Sequence, residues 1–461
     1  MPGRGDSPGA KHLFQNPIVS DRTTKWAVAG LFLFLYVPFL YQHGYLKAFI
    51  GHGDFPTMYW GARLAFNEGR SPYVNGAFAE AEVRQNQRLF PYLYPPQSLL
   101  VFYPFAHISY DTAKRLLLVA SHLSFAAALY LLFFRIWGAE PRLRFGGLAA
   151  AAVCVYVLTF WPVVDNFVWG QINLLVLLML CLSWWALKRH AHWLWVALPL
   201  SLAILLKAYP LVLLPLLVFR RRYGAAAAVV VLTALYALAS WLVLPEGLWH
   251  DWLTNIAPTG GYGLRPFNLF LPGAPWNHSL NGFFIFLGDR APRAGGIDSM
   301  AVTRALTYLV CGAVAAATLW LSYVCSRLRG EGRWLDYEFA LFLQMMFLVA
   351  PLSWEHHFVY VLPGAILSIR LLLEGRLARG AAAVLFAALC VAAWDFPRDN
   401  MFHYSGVWAA VIPVKCYAAF ALWACSAWAL RAALRERDAA EAEEATTAPV
   451  ARAAVSSGAT L

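Results

Sequence analysis

The chain has 461 residues, of which 60% are hydrophobic and 13% charged, with a mean hydropathy of +0.55. Soluble proteins hold about 45–50% apolar and about 25% charged residues, so a water-soluble globule, a disordered chain and a fibrous protein are excluded. The net charge of +11 does not point to nucleic acid, because its cations fall in short runs between apolar segments, without interleaved aromatics.

These numbers predict an all-α integral membrane protein. Residues 1–25 form a cytoplasmic N-terminal segment. The first apolar run, 26–45, is too long for a signal-peptide core and reads as an uncleaved helix. Further runs lie near 112–134, 146–163, 172–187, 193–206, 208–219, 224–244, 302–326, 337–352, 357–373, 380–397 and 406–430, which makes about twelve transmembrane candidates. Crossing takes about 20 residues. The runs 193–206 and 208–219 fall short, and read as a tilted hairpin, a re-entrant pair or one broken helix. The seven cysteines all lie in apolar stretches and none has CxxC spacing, which argues against a disulfide framework and a zinc site.

Loop charges give the orientation. Arg135/Arg142/Arg144, Lys188/Arg189, Arg220–Arg222, Arg327/Arg329/Arg333, Arg370/Arg376/Arg379 and Arg431/Arg435/Arg437 alternate with loops that are nearly free of cations. Basic loops stay in the cytoplasm, so both termini are expected there. The expectation is a multi-pass protein of the plasma (inner) membrane, with its working face outside. The spanning unit covers 26–430, and the low-complexity tail 431–461 is expected to be disordered.

Two long outer segments, 46–111 and 245–301, remain. In the first, helical spacing predicts a helix over 57–67 stopped by Gly69, and the short run 93–107 predicts an interfacial helix. The second is rich in Gly, Pro and Asn and carries Trp249, Trp252, Tyr262, Phe267, Phe270 and Trp276. That mixture suits stacking on sugar rings, although aromatics also gather at any membrane interface.

Polar residues at the outer rim are the candidates for chemistry. Asp54 stands just past the first helix, where partial burial would raise its pKa and make it a better base; it would equally cap the helix that follows. Asp165 and Gln171, in a short outer loop, suit hydroxyl binding or a helix cap. Lys207 lies between two apolar runs, where a lysine either snorkels or meets an anion such as a lipid phosphate. Asn277, Ser279 and Asn281 suit sugar hydroxyls or a turn. Glu355, His356 and His357 open the tenth run, but adjacent histidines point apart on a helix and do not make a metal site. No P-loop, GxGxxG, GxSxG or DxD pair is present. An enzyme facing outward has no nucleotide sugar to use. A lipid phosphate carrying a sugar is an activated donor already on that side.

The succession Asp54-x4-Tyr59-x2-Ala62, Gly69, Pro72-Tyr73, Tyr94-Pro-Pro96, Gly170-Gln-x-Asn173, Lys207-x-Tyr-Pro210 and Asn277-x-Ser279 resembles the family-87 glycosyltransferases, similar to polyprenyl-phosphate-mannose-dependent α-1,2-mannosyltransferases. The resemblance spans most of 25–430. It implies a GT-C-type polytopic helical bundle with a large first outer loop carrying interfacial helices. It further implies a polyprenyl-phosphate sugar donor, a glycan or glycolipid acceptor, and inverting transfer without a metal or other cofactor. Asp54 would be the general base, and His356 or His357 a second catalytic residue. Tyr59, Tyr94, Asn173 and Tyr209 join the binding set through the same motifs. A monomer set among membrane lipids is expected. The alternative readings are a transporter or flippase of lipid-linked sugars, and a non-catalytic assembly partner.

Overall fold

The structure, a computed structural model, describes residues 53–85, 89–137, 147–264, 272–290, 299–327, 331–396 and 411–457, with the single positions 30, 34, 37, 38 and 41. The expected N-terminal segment 1–25 lies outside the described residues, as does nearly all of the expected first helix at 26–45. Among the described residues there is no strand.

The segment expected to face outward holds α1 (Phe55–Asn67), which starts with Pro56 in its first turn and ends before Gly69. Helices α2 (Tyr110–Tyr130), α3 (Gly147–Thr159), α4 (Trp161–Trp169), α5 (Asn173–Lys188), α6 (Trp193–Leu206) and α7 (Tyr223–Val243) follow. The second half holds α8 (Leu280–Arg290), α9 (Ser299–Cys325), α10 (Glu331–Val349), α11 (Leu362–Leu373), α12 (Arg379–Ala393) and α13 (Val414–Ser457). The last of these runs on through most of the segment whose composition suggests disorder. Helix α5 packs on α2 and α6, α6 on α7, and α13 on both α10 and α12.

Among the described residues, five helices are long and apolar enough to cross a membrane: Tyr110–Ile136, Ala150–Trp169, Tyr223–Val243, Met300–Cys325 and Val414–Arg435. Six shorter apolar helices of 10–17 residues accompany them. At 1.5 Å per residue these are about 15–26 Å long, less than the roughly 30 Å hydrocarbon core. The expected count of about twelve full crossings is therefore not reached among the described residues. The runs 193–206 and 208–219 are two separate short helical pieces that break at Lys207, whose backbone is extended. The run 93–107 is also broken, into Pro96–Ser98, Leu99–Phe102 and Tyr103–His107, because Pro96 and Pro104 each begin a new turn.

Hydrophobic burial alone does not hold the bundle. Asp336 and Glu338, both fully buried near the start of α10, meet two cations that the sequence assigns to orientation. Lys188 Nζ is 2.7 Å from Asp336, and it also donates to the Ile136 carbonyl at 2.7 Å. Trp184 Nε1 donates to the other Asp336 oxygen at 3.1 Å. Arg220 Nε donates to Glu338 at 2.9 Å, and Ser322 Oγ donates to the second Glu338 oxygen. Each acid is thus paired and hydrogen-bonded, the condition under which buried charge is tolerated.

Candidate active site

The opposite end of the bundle encloses a cavity of about 670 Å³. Nine of the expected site residues line it: Asp54, Tyr94, Asp165, Gln171, Lys207, Tyr209, Glu355, His356 and His357. They come from segments more than 300 positions apart, so local geometry has to hold each one.

Asp54 is placed by a seam between backbones. Its amide donates to the Trp169 carbonyl at 2.7 Å, which binds the start of α1 to the end of α4. The neighbouring Gly53 is required there, since a Cβ would stand 2.4 Å from that same carbonyl oxygen. Helix α4 then stops at Gly170 with φ +62°, a left-handed conformation that glycine adopts without penalty. Asp165 and Asn166 sit on a helix, and only Gly170, Gln171 and Ile172 form the short loop in which the sequence suggests both Asp165 and Gln171. Phe160 is extended and Pro162 begins a fresh first turn, which starts α4 anew where a loop is expected.

Asp54 occupies the N-cap position of α1, yet its side chain makes no capping hydrogen bond. Its carboxylate accepts from Gln171 Nε2 instead. Burial pushes the Asp54 pKa up, and nearby His356, Lys207 and the Gln171 bond only partly oppose that rise. Such a carboxylate is a stronger base than one in water.

Gln171 is the hub. Its Oε1 accepts from Tyr94 Oη at 3.2 Å and from Lys207 Nζ at 3.4 Å. One amide therefore places a carboxylate and a lysine on the same wall. Lys207 is buried, and burial, countered by Asp54, lowers its pKa to about 7. Its Nζ lies 2.8 Å from His357 Nε2, while His357 Nδ1 accepts from the Trp354 amide at 3.0 Å. A neutral imidazole whose Nδ1 is an acceptor carries its proton on Nε2. The 2.8 Å contact then calls for a lone pair on Lys207, in keeping with an amine that titrates near neutrality. An anion entering the cavity would reverse this balance and favour the ammonium.

His356 faces the other way. Its Nδ1 is 3.4 Å from Asp165, and Trp169 Nε1 donates to the other Asp165 oxygen at 3.1 Å. Its Nε2 has no hydrogen-bond partner among the described residues. The His356 carbonyl accepts from Asn166 at 2.7 Å and from Asn173 at 3.4 Å, which fixes the backbone of the doublet.

Other expected residues serve as support. Tyr59 is buried outside the cavity lining, donates to the Ile108 carbonyl at 2.9 Å and packs on Tyr110. Asn173 also accepts from Tyr360 Oη at 2.8 Å. Asn277, Ser279 and Asn281 lie outside the lining as well. Asn277 and Asn281 donate to the Pro351 carbonyl at 3.2 and 2.8 Å, Ser353 N donates to Asn277 at 2.9 Å, and Ser279 Oγ donates to Asn277 at 3.0 Å. These amides brace the segment that carries the histidines. Of the aromatics in segment 245–301, Trp252 and Trp276 line the cavity; Trp249 donates to Ser240 and Tyr262 to the Val349 carbonyl; Phe267 and Phe270 fall outside the described residues.

Two participants escape sequence reading. His278 Nε2 lies 3.0 Å from Glu355, and Lys415 Nζ donates to the other Glu355 oxygen. Lys415 sits in an apolar run, the same signal that marks Lys207. Among the described residues, no group of three His, Cys, Asp or Glu side chains converges as a metal site would require.

Over 322 residues the chain is 30% identical to a polyprenol-phosphate-mannose-dependent alpha-(1-2)-phosphatidylinositol mannoside mannosyltransferase of Mycolicibacterium smegmatis, covering 65% of this chain and 66%, just under two thirds, of that relative. A protein of the same name from Mycobacterium tuberculosis is 25% identical over 358 residues, 75% of each chain. An alpha-(1->3)-arabinofuranosyltransferase of Corynebacterium glutamicum is 27% identical over 222 residues, covering 48% of this chain and 49% of that relative. No solved structure matches. The profile of glycosyltransferase family 87 matches residues 92–351, a stretch that holds Tyr94, Asp165, Gln171 and Lys207 but not Asp54, His356 or His357. With more than half of its length inside that profile, the chain belongs to glycosyltransferase family 87.

Proposed function

We propose that the chain moves a sugar, mannose by preference, from a polyprenyl-phosphate donor to a hydroxyl of a glycan or glycolipid on the outer face of the membrane, with inversion. The observation that carries this reading is the Gln171 bridge, which sets Asp54 and Lys207 on one wall of one cavity. Two relatives are named for a polyprenol-phosphate-mannose donor and a phosphatidylinositol mannoside acceptor, which supports both substrate classes.

The step is a single displacement. Asp54 takes the proton from the acceptor hydroxyl as its oxygen bonds to the anomeric carbon. The bond from that carbon to the phosphate oxygen breaks, and its electron pair leaves with the lipid phosphate. The departing group gains one negative charge, which a protonated Lys207 is placed to stabilise. His356, with Nε2 unpartnered and Nδ1 facing Asp165, is a second group for moving or sharing a proton. Trp252 and Trp276 offer flat apolar faces to a sugar or a prenyl chain.

The test is purified protein in lipid with a panel of polyprenyl-phosphate sugars. Parent protein should give labelled product. Asp54→Asn should fold and bind donor but turn over about 10²–10⁴-fold more slowly. Turnover within a few-fold of the parent would remove Asp54 from the mechanism. Movement of intact donor across the bilayer, without bond cleavage, would favour a flippase. Transfer should also survive excess EDTA. Loss that manganese or magnesium restores would show a metal requirement.

A further inference from the structure

Glu355 lines the cavity, so its carboxylate is the natural candidate to grip a sugar hydroxyl. Its oxygens are already used. One accepts from Lys415 Nζ and the other stands 3.0 Å from His278 Nε2, with all three side chains buried. Lys415 belongs to the first turn of α13 and His278 to the outer segment before α8, while Glu355 opens the turn Glu355–Tyr360. Lys415 Nζ also stands 5.5 Å from the ring of Phe358 in that turn. His356 and His357 are the next two residues after Glu355.

We propose that Lys415 is a positioning residue of the transfer site: it holds Glu355, and through Glu355 it fixes where His356 and His357 stand in the cavity. This rests on reading the cavity as a transfer site. The chemistry is that of a buried carboxylate. Burial alone would raise the Glu355 pKa, but the Lys415 ammonium and the His278 bond reverse this and hold it at about 2. The charge therefore persists at every working pH, and it anchors the turn to two other segments. Without Lys415, Glu355 either takes up a proton or moves toward water, and both pull on the residue preceding the doublet. The doublet's other supports, Asn166 and Asn173 on the His356 carbonyl, act from α4 and α5 and would remain. Misplacement by about 1 Å is enough to cost about 10²-fold in rate.

The experiment uses the full chain in lipid nanodiscs, polyprenyl-phosphate mannose as donor, and rates expressed per folded molecule. Lys415→Met should lower kcat about 10²-fold and leave the donor KM within about threefold. Lys415→Arg should recover most of that loss. The kcat–pH profile of Lys415→Met should gain an ionisation absent from the parent, because Glu355, buried and left with His278 as its partner, then titrates. The double variant Lys415→Met/Glu355→Gln should lose that ionisation. Unchanged kcat per folded Lys415→Met molecule, or an unchanged pH profile, would overturn the proposal. An active parent separates this failure from failure of the transfer reading, since a parent that transfers no sugar overturns both.

Discussion

At the scale of single residues, Lys207 has the most specific consequence. With a pKa lowered to about 7 by burial, it is an ammonium below that pH and a neutral amine above it. A polyprenyl-phosphate sugar is a phosphodiester, anionic across the whole working range, so the pH dependence of its capture belongs to the protein. Capture should be strong below about pH 7 and weaken as pH rises through it. Asp54 acts on the other side. Its raised pKa means that the base is lost to protonation at a higher pH than an ordinary carboxylate would be. The kcat/KM profile should therefore be a bell, with its alkaline limb set by Lys207 in the free protein. Lys207→Arg keeps its charge across this range, so the alkaline limb should move up beyond it. An unshifted limb would assign that titration to another group. Much of this site is legible in the residues themselves. A carboxylate or lysine at the edge of an apolar run stands out because so little else is charged. Partners are not legible: nothing local says that Gln171 reaches Asp54, 117 positions away, or that Asn277 turns its amides to Pro351 and away from a sugar. Such pairings are set by which helices pack, a long-range property that residue type does not encode.

At the scale of elements, the junction between α1 and α4 holds Asp54, the proposed base. Gly170 has φ +62°, and a Cβ there would lie 2.8 Å from Phe55 Cβ, one residue after Asp54. Gly170→Ala should cost about 1–2 kcal/mol for the left-handed backbone, plus the displacement of Phe55. We expect a modest drop in the unfolding temperature together with a fall of about 10²-fold in kcat, because the displaced residue adjoins the base. A stability loss with kcat unchanged would show that Asp54 is held independently of this junction. Helix content along the chain is well forecast by apolar runs, since period and length are local properties. Helix ends are forecast less well. Pro162 restarts α4 within the apparent loop, and Lys207 splits one apolar stretch into two short pieces. A run of leucines says that a segment is buried, not where its axis bends.

At the scale of the whole molecule, the alternation of basic loops predicts which side each loop faces. In a cysteine-free background, a single cysteine at position 80 should react with an impermeant maleimide in sealed right-side-out cells, and one at position 221 should not. The reverse pattern would invert the molecule and move the cavity to the cytoplasm. Two of the orientation charges also have a second history. Lys188 and Arg220 end up buried against Asp336 and Glu338, acids that lie more than 100 positions later in the chain. During synthesis their acids are not yet made when these cations emerge, so on the predicted orientation they would meet the membrane as bare charges that resist translocation. Once α10 is made, the same two side chains become neutralised ties inside the bundle. On the orientation that the basic loops predict, orientation and cohesion would fall to the same atoms at different times, and the order of synthesis would keep the two tasks from conflicting.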